Sequence, residues 1–196
     1  MNPSAFRNHY YALRHGQSLA NEQGIIISDI QSGTAAYGLS AAGREQVRTS
    51  IGAGTLTGHK LLIFSSPLLR ARESAELAQQ FIGCDPPIVD ARLRERGFGT
   101  LEGGSDTRYG EIWAHDRVDS GSAPHGVEPA HTVRARVLDL LCELEQRHAE
   151  QTILLVAHGD TLQILWTVFA GLSAGEHRRR DALRPGQLVE LRPELR

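Results

Sequence analysis

The chain has 196 residues, 40% of them hydrophobic, and a formal net charge of -2 from 21 basic and 23 acidic side chains. That length supports the core of one domain, and the near-balanced charge excludes a broad positive field for nucleic acid or anionic lipid, so any bound anion needs a local pocket. Cys84 and Cys142 lie too far apart for a disulfide framework or zinc pattern, Met1 to Asn8 resembles no leader, and Ile25-Ile26-Ile27 is too short to span a bilayer.

In chain order, residues 9–14 predict a strand that ends in Arg14-His15-Gly16-Gln17-Ser18. An imidazole at a strand's C-terminal end, beside a guanidinium and a glycine, suits phosphate chemistry. A short helix or turn ending at Gly24 follows, and residues 25–39 read as a loop. Two readings of that loop stay open: a binding role, or a surface excursion that packs Ile25, Ile26 and Ile27 on the core. Ser40 is placed to cap a helix that runs to about Ile51. Residues 60–64 form an unbroken apolar run, the pattern of a strand covered on both faces. Ser66-Pro67 then reads as an N-cap followed by the first helical position, which sets Arg70 near a helix N-terminus where charge and dipole both favour an anion. That helix extends to residue 82.

A short strand at Ile88-Val89 precedes an arginine-rich turn at 92–99. Residues 99–130 read as an irregular insertion, with a helix around Tyr109 to Val118, placed to cover a site. Residues 128–148 show the clearest amphipathic helix. A second buried strand, 153–157, ends in His158-Gly159 and leads into a helix, and 187–191 predict a last strand. The expected fold class is α/β: a doubly wound, mostly parallel central sheet flanked by helices in three αβα layers, forming a single domain over 1–196. Three strand ends then deliver Arg14-His15, Ser66 to Arg70, and His158 to one edge.

These residues resemble the histidine phosphatase superfamily, also called the phosphoglycerate mutase-like family. Arg14-His15-Gly16-Gln17-Ser18 with Asn21 is similar to its opening motif, and Ser66-Pro67-Leu68 through Glu76 to its second. Leu93 to Gly103, with Glu95, is similar to its acid-bearing segment, and Val156 to Gly159 to its last motif. The resemblance implies that His15 is the nucleophile, that Arg14, Arg70 and His158 bind the phosphoryl group, and that Glu95 is the proton donor. It places Asn21 and Ser28 as further substrate contacts. No cofactor and no metal are implied.

The chemistry constrains each group. Arg14 and Arg70 disfavour imidazolium and keep His15 nucleophilic, while His158 would assist best if protonated. Glu95 donates a proton only if burial lifts its pKa, so Arg94 and Arg96 are expected to point away; Glu102 and Glu73 are its rivals. Of the other histidines, His9, His59, His115, His148 and His177 are expected to be solvated, with His125 and His131 nearer the pocket. The run His177-Arg178-Arg179-Arg180 reads as a solvated helix end. A mutase needs a second set of cations, and residues 99–130 offer only Arg108 and Arg117, with little chain after the last strand. The reading favoured is a phosphatase acting on a small phosphorylated metabolite with an apolar or neutral leaving group, near Phe98, Tyr109 and Trp113. A phosphoglycerate mutase-type transferase and a non-catalytic phospho-ligand module on the same fold are the alternatives. The expected compartment is cytoplasmic, with no membrane or nucleic-acid partner, and the oligomeric state is open.

Overall fold

The computed structural model describes residues 6–54, 56 and 61–194. Five strands, β1 (His9–Arg14), β2 (Leu61–Ser65), β3 (Ile88–Val89), β4 (Thr152–Ala157) and β5 (Leu188–Leu191), form one sheet in the order β3-β2-β4-β1-β5. The first four are mutually parallel, and β5 closes antiparallel on β1. The helices among the described residues are α1 (Leu19–Gln23), α2 (Ile30–Ala35), α3 (Ala41–Gly52), α4 (Leu69–Ile82), α5 (Tyr109–Asp116), α6 (Ala130–Arg147) and α7 (Gly159–Phe169).

The side-chain alternation of β4 explains its unbroken apolar sequence. Ile153, Leu155 and Ala157 join a core with α6 and α7, whereas Leu154 and Val156 join a second core with α3 and α4. All five are fully buried, so both faces of the strand are dry, and the expected three-layer α/β architecture is present. Each fully buried Ile, Leu or Val contributes roughly 1.5–3 kcal/mol.

Register carries the site. Arg14 lies opposite Ala157, and Ser65 lies opposite Val156. The ladder continues one residue further: the His15 amide donates to the Ala157 carbonyl at 3.0 Å, and the Ser66 amide to the Val156 carbonyl at 3.0 Å. His15, Ser66 and His158 therefore leave three adjacent strands side by side. Helix α3 presses backbone against backbone on the turn after β1, since a Cβ on Gly16 would sit 2.2 Å from the Gly43 carbonyl oxygen. Only glycine fits there.

Several expectations change. Residues 25–39 are not all loop: Asp29 accepts from the Ser32 amide at 2.9 Å and caps α2. Ser66 is not a helix cap; α4 starts after Leu68 without a side-chain cap, and the Ser66 hydroxyl is taken by the Leu68 amide and by His158. Lys60, the expected first residue of the second strand, and His59 lie outside the described residues. His177 is fully buried rather than solvated, because its Nε2 meets Asp116 at 3.1 Å. Residues 99–130 carry α5, and their Leu101, Ile112 and Val127 pack with Ile26 and Phe98 in a small separate core. The pairing of Ile25 with Ser105, and of Ile26 with Gly103 and Gly104, seats this segment on the chain after α1. No helix among the described residues is long and apolar enough to cross a membrane.

Candidate active site

At the C-terminal edge of the parallel strands lies a cavity of about 200 Å³. Its floor is His15, which is 3% exposed. The Nδ1 atom lies 2.7 Å from the Gly16 carbonyl oxygen, which can only accept, so Nδ1 carries the hydrogen and Nε2 keeps its lone pair. Arg70, in the first turn of α4, donates from Nε to that Nε2 at 3.1 Å and from Nη2 to the Ile27 carbonyl at 2.8 Å. Burial first, then the guanidinium groups of Arg70 and Arg14, hold the His15 pKa well below the ordinary histidine value. The imidazole is therefore neutral and nucleophilic at physiological pH.

Among the cavity-lining arginines, two buried guanidinium nitrogens have no protein partner: Nη1 of Arg70 and Nε of Arg14. Arg14 is otherwise fixed by a 2.6 Å bond from Nη1 to the Leu183 carbonyl. Both side chains line the cavity, so an oxyanion there meets two guanidinium groups. His158 is wholly buried behind His15, with ring centroids 5.0 Å apart, and its Nε2 is 2.7 Å from the Ser66 hydroxyl. The expectation of a protonated His158 is reversed: burial, then Arg70, His15, Arg14 and Arg136, push its pKa well below the ordinary value, so it is neutral here.

Glu95 lines the same cavity and is 8% exposed. Its Oε1 accepts from the Arg96 amide at 2.9 Å and the Thr161 hydroxyl at 3.1 Å, leaving Oε2 to carry a proton. Burial, then the charge of Asp160, raises its pKa, against the pull of Arg70 and Arg14. The guanidinium groups of its neighbours do turn away, Arg94 to Glu128 at 2.9 Å and Arg96 to Asp116 at 2.6 and 2.8 Å. The rival acids are engaged elsewhere. Glu102 accepts from the Ser28 amide and hydroxyl and the Asp29 amide, and Glu73 pairs with Arg44 at 3.0 Å.

Asn21 lines the cavity, with its Oδ1 accepting from the Ser18 amide as part of a capping box on α1. Ser28 does not line it: the hydroxyl is held between Glu102 at 2.6 Å and the Phe98 amide at 2.9 Å, and so serves to join two loops. His125 and His131 also lie outside the lining; His125 contacts Arg108, and His131 the Ser120 carbonyl. Asp160, Gln163 and Arg178 do line it, and sequence reasoning missed all three. A signal existed for Asp160 alone, two residues after His158 in the first turn of a helix. Among the described residues, no group of three or more histidine, cysteine or acidic side chains is arranged to hold a metal ion.

The chain is similar to known proteins over most of its length. The family model described as the histidine phosphatase superfamily (branch 1) matches residues 10–195. A protein of Citrobacter koseri that carries a phosphoglycerate mutase name is 33% identical over 175 residues, 86% of this chain and 78% of that one. One of Hydrogenobacter thermophilus that carries a phosphoserine phosphatase name is 30% identical over 172 residues, 83% and 78% of the two chains. Among solved structures, a mycobacterial glucosyl-3-phosphoglycerate phosphatase in complex with VO3 matches with a TM-score of 0.77 at 27% identity, covering 93% of this chain and 91% of that one.

Proposed function

This chain belongs to the histidine phosphatase superfamily, and on that premise we propose that it is a metal-independent phosphatase that hydrolyses a small phosphomonoester through a phosphohistidine on His15. The observation that carries the reading is an unprotonated His15 Nε2, held only by a bond from Arg70 Nε, in a cavity that the guanidinium groups of Arg14 and Arg70 also line. A phosphomonoester bound to those two guanidinium groups offers a phosphoryl oxygen to Arg70 Nε in place of His15, which frees the Nε2 lone pair to face the phosphorus. The N–P bond forms as the ester P–O bond breaks, and the leaving alkoxide takes the proton from Glu95 Oε2. Water, deprotonated by the Glu95 carboxylate, then attacks the phosphohistidine and releases inorganic phosphate. Arg14 and Arg70 stabilise the charge on the equatorial oxygens in both steps, with roughly 3 kcal/mol for a strong donor.

Hydrolysis is favoured over transfer because neither cation of the insertion lines the cavity, and Arg178, which does, shares it with the carboxylates Asp106 and Asp160 that oppose a second phosphate. Arg108 is paired with Glu111 at 2.7 Å and Arg117 is exposed. The deciding experiment measures phosphate release from an aryl phosphate and a panel of small phosphomonoesters with chelator present, beside phosphoglycerate interconversion with a bisphosphate primer. Release that survives chelator, without interconversion, is the expected result. Interconversion without net release would establish a mutase, and neither reaction would leave a phospho-ligand module.

The role of Glu95 has a pH signature. Its acid form is the active one for leaving-group protonation, so kcat falls as pH rises through its pKa. Asp160→Asn removes a charge that raises that pKa while keeping an oxygen acceptor for Trp113. The expected result is a basic limb of the kcat profile moved to lower pH; an unmoved limb would separate Glu95 from the proton donor.

A further inference from the structure

The cavity has a second cationic end that the phosphoryl chemistry does not use. Arg178 lies in the 3-10 segment Ala174–Arg179 and is half-buried, with its guanidinium carbon 3.7 Å from the centroid of the Trp113 ring. The plane is fixed from both sides. Trp113 Nε1 donates to the two oxygens of Asp160 at 2.9 and 3.0 Å, and Arg178 Nη1 donates to Gln163 Oε1. The adjacent Arg179 pairs with Glu176 at 2.9 Å, but no described carboxylate lies within 4.0 Å of the Arg178 nitrogens. Burial lowers the Arg178 pKa, with Asp160 opposing and Arg14 adding to the effect. A half-desolvated guanidinium without a close counter-ion is the natural partner of a ligand anion.

Resting on the phosphatase reading above, we propose that Arg178, stacked on Trp113, is the specificity-determining residue for the leaving group, and that the alcohol released carries a carboxylate. A guanidinium stacked through its face presents its edge, and an edge of coplanar N–H donors matches a planar carboxylate. A second phosphate fits less well: it is tetrahedral and close to dianionic, and Asp106 and Asp160 line the same cavity. A monoanion sits between those charges at lower cost. The substrate class is thus a phosphorylated hydroxy acid or hydroxy amino acid, in place of the apolar or neutral leaving group expected from the sequence.

The test uses two pairs of esters that differ by one carboxylate: 3-phosphoglycerate against glycerol 3-phosphate, and O-phosphoserine against phosphoethanolamine. The readout is the ratio of kcat/KM within each pair, which cancels the fraction of active enzyme. The wild type is expected to prefer at least one carboxylate partner by about tenfold or more, as a charge-assisted contact provides. Arg178→Gln is expected to bring that ratio close to one. Equal rates in both pairs for the wild type, or an unchanged ratio in Arg178→Gln, would overturn the assignment. If no ester is hydrolysed, the phosphatase reading has failed, and the subsite is then decided by calorimetric titration of the same four esters into the wild type and Arg178→Gln. A carboxylate preference lost in the variant upholds the subsite without turnover; equal or absent binding removes it.

Discussion

Replacing His15 with alanine is expected to abolish phosphate release, with kcat down by about 10⁴-fold or more, the scale of losing a covalent nucleophile. Nε2 is unprotonated because Nδ1 donates to Gly16, and it accepts from Arg70 Nε at 3.1 Å until a phosphoryl oxygen takes that donor, in a cavity that Arg14 and Arg70 also line. No second nucleophile of the cavity floor replaces it, since His158 is wholly buried behind it with its Nε2 engaged by Ser66. Acid-free quenching during turnover should recover a phosphoryl group on the peptide containing His15 and on no other. His15→Ala with near-normal release would remove the phosphohistidine from the mechanism altogether. The wild-type pH profile carries the same information. Because burial and the two guanidinium groups depress the His15 pKa far below 6.5, the neutral nucleophile persists as pH falls past 6.5. The acid limb of kcat/KM therefore belongs well below that value, and a limb at 6.5 would mean a solvated, ordinary histidine.

The same depression links the site to stability. In the unfolded chain His15 and His158 take up protons near pH 6.5, whereas in the fold they resist them. Their contribution is intact above pH 6.5 and is lost as pH falls from there toward their lowered native values, because the unfolded state then binds more protons. A fold that stores two neutral imidazoles beneath two arginines gives up acid stability to keep a nucleophile ready.

The sequence showed the strand ends because apolar runs such as Ile153 to Ala157 have one interpretation once length and flanking glycines are considered. Their ends name His15 and His158 directly, and parallel register brings them together. What sequence did not show depends on contacts between distant segments. Ser28 reads as a polar loop residue, and only its partner Glu102, 74 residues on, reveals that it ties loops together. His177-Arg178-Arg179-Arg180 reads as a charged surface because no helical or strand period divides it. In a 3-10 segment, three successive side chains point to three different sides. His177 goes to the interior, Arg178 to the cavity and Arg179 to Glu176 at the surface. Tight turns thus separate adjacent like residues into different environments, and composition alone cannot show it.

Asp116→Ala is expected to be the most destabilising of the changes considered, by about 3–5 kcal/mol, because it strands a charge in the interior. Arg96 and Asp116 are both fully buried and joined by two bonds of 2.6 and 2.8 Å. Burial works to raise the Asp116 pKa, but the bonds from His177 and Arg96 outweigh it and hold the carboxyl below the usual range. Removing the carboxylate leaves the Arg96 guanidinium with the Glu128 carbonyl at 2.6 Å and Asp160 at 3.6 Å. For a chain of this size the loss corresponds to a fall in Tm of roughly 6–20 °C. Three parts of the site meet at this pair: the segment bearing Glu95, helix α5 bearing Trp113, and the 3-10 segment bearing Arg178. Arg96→Met with Asp116→Leu should therefore be less harmful than Asp116→Ala alone, since the fully buried guanidinium leaves with its carboxylate and Asp160 keeps the bonds from Trp113. Thermal unfolding of the two variants decides the point. A double variant as unstable as the single one would mean that the pair acts through shape rather than charge, and that the acid and the Trp113–Arg178 stack are held in place by packing.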